Sequence, residues 1–208
     1  RDAARQQLGA DADTLVVLFM GRLSFHAKAH PLAMYQALQH ASQATGKHVL
    51  LVECGWHAND FIARAYADAA AQAAPSVTVH TLDGRDAAQR QTAWAGADVF
   101  CSLSDNIQET FGIVPIEAMA AGLPVVVTPV GVIPDVIEDG REGLLIPPKD
   151  TTALYHALEK LVRQPSSLER MGRAAFHSAE SQFGVEKAVA LLSALIFAAC
   201  GTSKKDSS

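Results

Sequence analysis

Short apolar runs recur along the first part of the chain and alternate with longer stretches of helical periodicity. Each run has the length of a strand and is mostly β-branched or aliphatic. The runs cover residues 15–20, 49–53, 77–80, 98–102, 125–128 and 143–146. They are continuously apolar, which is typical of strands that are covered on both faces. The pattern therefore predicts a buried parallel sheet of about six strands.

The stretches between these runs have the composition and length of helices. They cover residues 31–45, 59–74, 85–95, 113–121 and 134–139, and after Asp150 the pattern becomes all helical at 151–164, 166–182 and 185–199. Alternation of strands and helices predicts parallel strands with right-handed crossovers. The predicted fold class is α/β, a doubly wound Rossmann-like sheet with extra C-terminal helices.

The same pattern predicts a simple domain organisation. Residues 1–14 are interpreted as a linker or polar helix end, and residues 15–184 as one ligand-binding domain. A C-terminal helix is expected at 185–200 and a disordered polar tail at 201–208. The longest apolar run, at 188–200, is shorter than the ~20 residues that a membrane-spanning helix needs.

Composition narrows the class of ligand. Apolar residues make up 49% of the chain, an ordinary globular composition. The net charge of −5 argues against nucleic acid as the main partner, because phosphate backbones are bound by clustered Lys and Arg. A small anion is still compatible with one or two well-placed cations. The three cysteines, Cys54, Cys101 and Cys200, form no paired motif, so we expect a reduced, cytoplasmic protein without a thiolate metal site.

The loop predicted after the first strand carries two cations. Ligands of doubly wound sheets bind beyond the carboxyl ends of the strands. Gly21 allows a ligand to approach the backbone closely, and Arg22 and Lys28 follow within the same segment. A guanidinium and an ammonium at this spacing suit a diphosphate. The alternative is a pair of solvated surface charges.

A second candidate loop leads into the helix predicted at 113–121. Gly112 precedes that helix and Pro115 fits its first turn, so unpaired N–H groups point above the sheet, where a phosphate can bind. Glu117 lies one turn further in, and Glu109 precedes the turn. Carboxylates beside a phosphate need hydroxyl donors, which favours a sugar nucleotide. The alternative is that Glu117 is a surface residue and Glu109 a helix-cap partner.

The segment 104–150 resembles the donor-domain signature of the retaining GT-B glycosyltransferases of the group 1 family, family four. The matching parts are Glu109-x7-Glu117, Phe111-Gly112, Gly122-x-Pro124-Val125, Gly131 with Asp135, Gly140-x-x-Gly143 closing on Asp150, and Gly21-Arg22 with Lys28 upstream. The similarity covers approximately residues 15–184. It implies that the domain is one half of a GT-B fold. The sequence departs from the commonest pattern at Ala29, Val132 and Asp135.

The resemblance also implies a role for each matched residue. Arg22 and Lys28 would neutralise the leaving diphosphate, and Glu109 would contact the transferred sugar, so these three are the predicted catalytic residues. Glu117 would bind the ribose hydroxyls, and the segment 81–83 would border the base largely through its backbone. The predicted donor-binding residues are Gly21, Leu82, Asp83, Thr110, Phe111, Gly112, Ile113, Val114 and Glu117.

The implied activity is transfer of a hexosyl group from a nucleoside-diphosphate sugar to an acceptor hydroxyl, with retention of configuration. The donor would be UDP-, GDP- or ADP-linked, and neither a metal ion nor another cofactor is expected. An N-terminal acceptor domain, not contained in this chain, would complete the enzyme and make any membrane contact. We expect the fragment alone to be inactive.

Two other classes are compatible with the sequence. One is a nucleotide- or nucleotide-sugar-binding module without transfer activity. The other is a GT-B-like epimerase or a pyridoxal-phosphate phosphorylase, for which no lysine is an obvious candidate. Asp11-x-Asp13 precedes the first strand and is interpreted as a solvated turn. His26, His30 and His57 have no supporting ligands at metal-binding spacing.

Overall fold

Six parallel strands form one sheet in the order β3-β2-β1-β4-β5-β6. The computed structural model describes residues 1–25, 31–103, 113–187 and 189. The strands are β1 (Leu15–Leu23), β2 (Val49–His57), β3 (Val77–Asp83), β4 (Val99–Ser102), β5 (Val125–Val127) and β6 (Gly143–Leu145). The chain starts in the centre, winds outward to β3 and then crosses back to β4. The predicted doubly wound α/β fold is confirmed.

Eight helices of the described chain surround the sheet. They are α1 (Asp2–Gln7), α2 (Leu32–Thr45), α3 (Asp60–Ala73), α4 (Ala87–Gly96), α5 (Ile113–Ala120), α6 (Ile133–Val136), α7 (Thr151–Arg163) and α8 (Pro165–Phe183). Each predicted helix from 31 to 182 is present within a few residues of its expected bounds. Residues 185–187 are helical, and most of the helix predicted at 185–199 lies outside the described residues.

Both faces of the sheet are buried, which explains the continuously apolar strands. Successive side chains of a strand point to opposite faces. Val17 packs in one cluster with α2, α3 and α7, whereas Val16 and Leu18 pack in a second cluster with α4, α5, α6 and α8. All three are fully buried, and each such side chain stabilises the fold by about 1.5–3 kcal/mol.

Three strands are longer than their apolar runs predict. β1 and β2 pair through Gly21↔Gly55 and Arg22↔Trp56, and β3 continues to Asp83. Gly21 and Arg22, which were expected in a loop, therefore lie in a strand. Their glycine and polar side chains interrupt the hydrophobic pattern while the backbone ladder continues, so pattern alone ends these strands too early.

The segment interpreted as a linker packs against the domain. Leu8 is 2% exposed and packs closely against Gly96. A Cβ added at Gly96 would lie only 2.5 Å from Leu8 Cδ1. Arg5 Nη1 donates to Asp98 Oδ2 at 2.8 Å, and Asp98 also accepts the Val16 N–H at 2.7 Å. A polar six-residue helix that has no buried residue of its own and is followed by one buried leucine carries too little periodicity to be predicted with its bounds from sequence.

Over the described ranges, no helix combines the length and the apolar character that crossing a membrane would need.

Candidate functional site

Three glycines bring the strand ends close together at the carboxyl edge of the sheet. A Cβ on Gly55 would lie 1.9 Å from the Gly21 carbonyl oxygen, and one on Gly84 would lie 2.9 Å from Gly55 Cα. Gly21 has a φ of 148°, which disfavours any residue with a side chain. The Gly84 N–H donates to the Gly55 carbonyl at 2.9 Å. A side chain at any of these positions would collide with a neighbouring strand end or strain the backbone, so glycine is required there.

Arg22 is an exposed cation at this edge. Its guanidinium carbon lies 5.9 Å from the centre of the Trp56 ring, and the two residues are direct partners across β1 and β2. No ion pair joins Arg22 to any residue in the described part of the chain. Its N–H donors are therefore available to an anion. Lys28, its predicted companion, lies outside the described residues.

The start of helix α5 lies at the same edge, because β4 is the neighbour of β1. Ile113 and Val114 open the described helix, and Ile113 is 60% exposed. The first N–H groups of a helix have no acceptor within it and carry the positive end of its dipole. The predicted site residues Glu109, Thr110, Phe111 and Gly112 lie outside the described residues.

Glu117 lies one turn into α5 and is exposed. It shares a helical face with Ile113, and both line an apolar groove of about 370 Å³ together with Phe176 and Phe183 of α8. The structure thus brings Glu117 to the outer side of α5, near the helix start. Its proposed contact with ribose stays a prediction.

At the end of β3, Asp83 is held by neighbouring groups. Its carboxylate accepts from Arg85 Nε and Nη2, each at 2.9 Å, and hydrogen bonds from the Arg85 side chain and backbone lower its pKa to about 2. Its own N–H donates to Gln89 Oε1 at 2.8 Å and its carbonyl accepts the Asp86 N–H at 3.0 Å. Leu82 is half-buried beside it. The base contact predicted for this segment stays a prediction.

A buried carboxyl group lies below the glycine edge and was not singled out from the sequence. Glu53 is 2% exposed in β2 and accepts a hydrogen bond from Tyr35 Oη at 2.6 Å. Burial raises its pKa to about 7, against the opposing effect of the Tyr35 hydrogen bond. Glu53, Tyr66 and Thr81 line a cavity of about 420 Å³ between α3 and β3. The sequence signal that could have indicated this buried carboxyl group is the position of Glu53 at the end of an apolar run.

Aromatic rings support the ends of β1 and β2. The centre of the Tyr66 ring lies 4.6 Å from the centre of the Phe25 ring. It lies 5.1 Å from the centre of the His57 ring, which it meets edge to face. Buried His57 Nε2 has no hydrogen-bond partner among the described residues, and burial lowers the pKa of this imidazole. His57 is thus a packed residue at the end of β2, paired in register with Leu23.

Several residues of the family motif serve the fold. Gly140 has a φ of 82°, and a Cβ on Gly143 would lie 1.9 Å from the Val125 carbonyl oxygen. Gly122 has a φ of 77° just after α5, and its carbonyl oxygen would lie 2.3 Å from a Cβ on Gly172 of α8. Asp150 caps α7 by accepting the Ala153 N–H at 2.8 Å. These positions are explained by backbone geometry without a ligand.

The described residues contain no group of three or more His, Cys, Asp or Glu side chains that could hold a metal ion. Asp11 lies in the turn before β1, where it accepts hydrogen bonds from the Thr14 N–H and hydroxyl at 2.8 and 2.6 Å. These bonds lower the pKa of Asp11. Cys54 and Cys101 are free and buried.

The strand order and the glycine-lined carboxyl edge define a doubly wound Rossmann-like α/β domain. Beyond this class, the chain belongs to the family Glycosyl transferases group 1, whose model matches residues 1–178. The predicted family is confirmed at this level.

Curated relatives support the family and show how much of a longer protein the chain covers. It is 30% identical over 200 residues to a D-inositol 3-phosphate glycosyltransferase of Streptomyces bingchenggensis. The matched region covers 91% of this chain and 42% of that protein. It is 44% identical over 86 residues to a phosphatidyl-myo-inositol mannosyltransferase of Mycobacterium leprae, covering 41% and 22%. The chain thus spans less than half the length of these relatives.

Solved structures of glycosyltransferases share the fold. Sucrose-phosphate synthase from Thermosynechococcus elongatus superposes with a TM-score of 0.70 at 25% identity, over 98% of this chain and 50% of the other. Anabaena HepE in complex with UDP and glucose gives a TM-score of 0.73 at 22% identity, over 94% and 51%. The sheet and its helices are therefore one half of a GT-B architecture.

Proposed function

We propose that the chain is the donor-binding half of a retaining glycosyltransferase, and that it binds a nucleoside-diphosphate sugar from which a hexosyl group is transferred. The observation that carries the proposal is Arg22. It is an exposed cation without an acid partner in the described chain, at the carboxyl edge where ligands of this fold bind. Because the chain belongs to the family Glycosyl transferases group 1, we propose that the anion bound by Arg22 is the diphosphate of a sugar nucleotide.

The chemistry follows from charge that develops on the leaving diphosphate. A fixed guanidinium and the N–H groups of a helix start stabilise such charge without reorganising during the reaction. Arg22 and the α5 residues Ile113 and Val114 supply these groups at one edge of the sheet. Lys28 and Glu109 are proposed as the second cation and the sugar contact. We propose that no metal ion is needed, because the cations come from the protein.

A nucleotide donor is supported by a structural neighbour, since HepE was solved with UDP and with UDP-glucose. The acceptor is proposed to bind a second domain, because the chain covers only 42% of the D-inositol 3-phosphate glycosyltransferase of Streptomyces bingchenggensis. A binding module without transfer activity is the second candidate, favoured only if the complete enzyme binds donors and transfers nothing.

A thermal-shift panel tests the proposal. The protein would be heated with UDP, GDP, ADP and their sugar conjugates, with the corresponding nucleosides as controls. A ligand at a hundred times its dissociation constant stabilises a fold by about 2.7 kcal/mol. We expect at least one diphosphate, with or without sugar, to raise the melting temperature. No shift with any of them, supported by calorimetry, would exclude the proposed donor site.

A further inference from the structure

Trp56 is an exposed aromatic residue placed directly beside the candidate diphosphate cation. It follows Gly55 at the end of β2 and is 38% exposed. In the parallel ladder it is the register partner of Arg22, and the guanidinium carbon lies 5.9 Å from its ring centre. Trp56 belongs to neither hydrophobic core cluster, and its ring lies against the Arg22 guanidinium.

The surroundings of Arg22 differ from those of two other surface arginines, Arg85 and Arg163, which are paired with acids. Arg85 donates to Asp83 at 2.9 Å, and Arg163 donates to Glu159 at 2.9 Å. A carboxylate partner neutralises a guanidinium and competes with phosphate for its N–H donors. An aromatic face attracts a guanidinium without accepting its N–H groups in the strong, directional manner of a carboxylate. Trp56 can therefore fix Arg22 and leave its charge available.

The backbone holds Trp56 firmly in this place. Gly21 and Gly55 are packed so closely that neither strand end can shift toward the other. Immediately after Trp56, the His57 ring packs against Tyr66 at 5.1 Å. Because both flanking residues are held, the backbone carries the indole at a fixed position beside the otherwise flexible arginine side chain.

We propose that Trp56 is a positioning residue that orients the Arg22 guanidinium toward the diphosphate of the donor. This inference rests on the proposed function of the Arg22 site and adds a residue to it. Trp56 acts through Arg22, so its effect depends on that side chain being present. It is expected to concern the diphosphate and not the nucleoside.

A double-mutant cycle with inorganic pyrophosphate and UDP as probes tests this role. Trp56→Leu removes the aromatic face and keeps an apolar side chain, whereas Trp56→Phe keeps an aromatic ring. An exposed cation–π contact corresponds to about a two- to fivefold change in affinity. We expect that loss with Trp56→Leu, its partial recovery with Trp56→Phe, and no further loss when Trp56→Leu is added to Arg22→Ala. Circular dichroism melting of each variant separates weakened binding from failed folding.

Trp94→Phe provides a matched control and a direct signal. The chain has two tryptophans, and Trp94 lies in α4 against Phe100, with ring centres 6.1 Å apart. This variant should bind pyrophosphate normally, and its fluorescence then comes from Trp56 alone. We expect emission to change on adding pyrophosphate, and not in the Arg22→Ala background. Unchanged affinity of Trp56→Leu, or an equal loss with and without Arg22, overturns the inference while the donor site stands. Failure of the wild type to bind any diphosphate overturns both.

Discussion

Single residues at the carboxyl edge differ in whether their charge is already satisfied within the protein. Asp83 and Arg85 satisfy each other through two hydrogen bonds of 2.9 Å. The Arg22 guanidinium lies over the Trp56 ring and has no ion pair in the part of the chain that the structure describes. A guanidinium that is hydrogen-bonded to a carboxylate has fewer N–H donors left for an anion, so substitution of Arg22 should affect anion binding more than substitution of a paired arginine.

Replacing Arg22 by alanine should weaken nucleoside diphosphates selectively. Hydrogen bonds to charged groups contribute about 1.5–3 kcal/mol, which corresponds to an approximately ten- to hundredfold loss of affinity. Calorimetry would compare UDP with uridine, and Arg163→Ala, which removes a surface arginine paired with Glu159, is the matched control. An equal loss for uridine and UDP, or an equal effect of Arg163→Ala, would remove Arg22 from the phosphate site.

Glu53 makes the stability of the domain depend on pH. Burial raises its folded pKa from 4.5 to about 7, so the folded state holds this proton more tightly than the unfolded state. The associated stability is fully present below pH 4.5 and is lost as pH rises through 7. A shift of this size corresponds to about 3 kcal/mol at most.

Glu53→Gln should therefore stabilise the protein at pH 8.5 more than at pH 5.5. The amide is neutral at both values and its oxygen can still accept from Tyr35, whose hydroxyl lies 2.6 Å from Glu53. Chemical denaturation at the two pH values measures the difference, with Glu169→Gln on the exposed surface of α8 as the control. The same difference between variant and wild type at both values would contradict the raised pKa.

The candidate site could be predicted from sequence where it consists of charges and motif residues. Arg22 was expected at the carboxyl edge, and the structure places it there. Trp56 and Glu53 could not be assigned in the same way. The role of Trp56 depends on its pairing with Arg22 in a strand that is distant in sequence, and that of Glu53 on burial and on the hydrogen bond from Tyr35 of helix α2. The sequence without the fold does not show which residues become neighbours.

At the level of helices and strands, the glycines of the family motif set where elements can meet. A Cβ on Gly143 would collide with the Val125 carbonyl in the neighbouring strand. This contact joins β6 to β5 at the start of their ladder. The glycine is therefore required by the sheet, independently of any ligand.

Gly143→Ala should destabilise the domain without a specific effect on donor binding. Overpacking of this kind costs about 1–3 kcal/mol, because backbone atoms have to move. Urea unfolding would measure the loss, with Arg173→Ala on the exposed face of α8 as the control. Wild-type stability together with weakened UDP binding would show that Gly143 acts in the site and not in the sheet.

The fold was predictable because strand and helix periodicities are local. The strands from Leu15 and Val49 begin where their apolar runs begin. Their ends were wrong by three and four residues, since Gly21 and Gly55 continue the ladder without apolar side chains. Helix α1 was expected only as one of two alternatives, a linker or a polar helix end, because its anchoring depends on Asp98, which is distant in sequence.

At the scale of the whole molecule, the described surface carries an apolar groove between two helices. The groove between α5 and α8 is apolar, and Ile113, Phe176 and Phe183 are 60%, 48% and 45% exposed along it. This chain covers 42% of the Streptomyces bingchenggensis relative. Under the proposed function, donor binding belongs to this chain and acceptor binding to a further part of the longer protein.

We predict that this chain alone binds the donor and forms no glycoside. The groups that would hold a diphosphate, Arg22 and the start of α5, lie on one edge of one sheet. Transfer also requires an acceptor held in line and water excluded, contributions that can lower a barrier by several kcal/mol. With the cleft open on one side, modest affinity and slow donor hydrolysis are the expected limits. Incubation with labelled nucleotide sugars and a broad acceptor panel measures both, and a longer form that includes a second domain is the positive control. Efficient glycoside formation by these 208 residues would mean that the acceptor site lies within this domain.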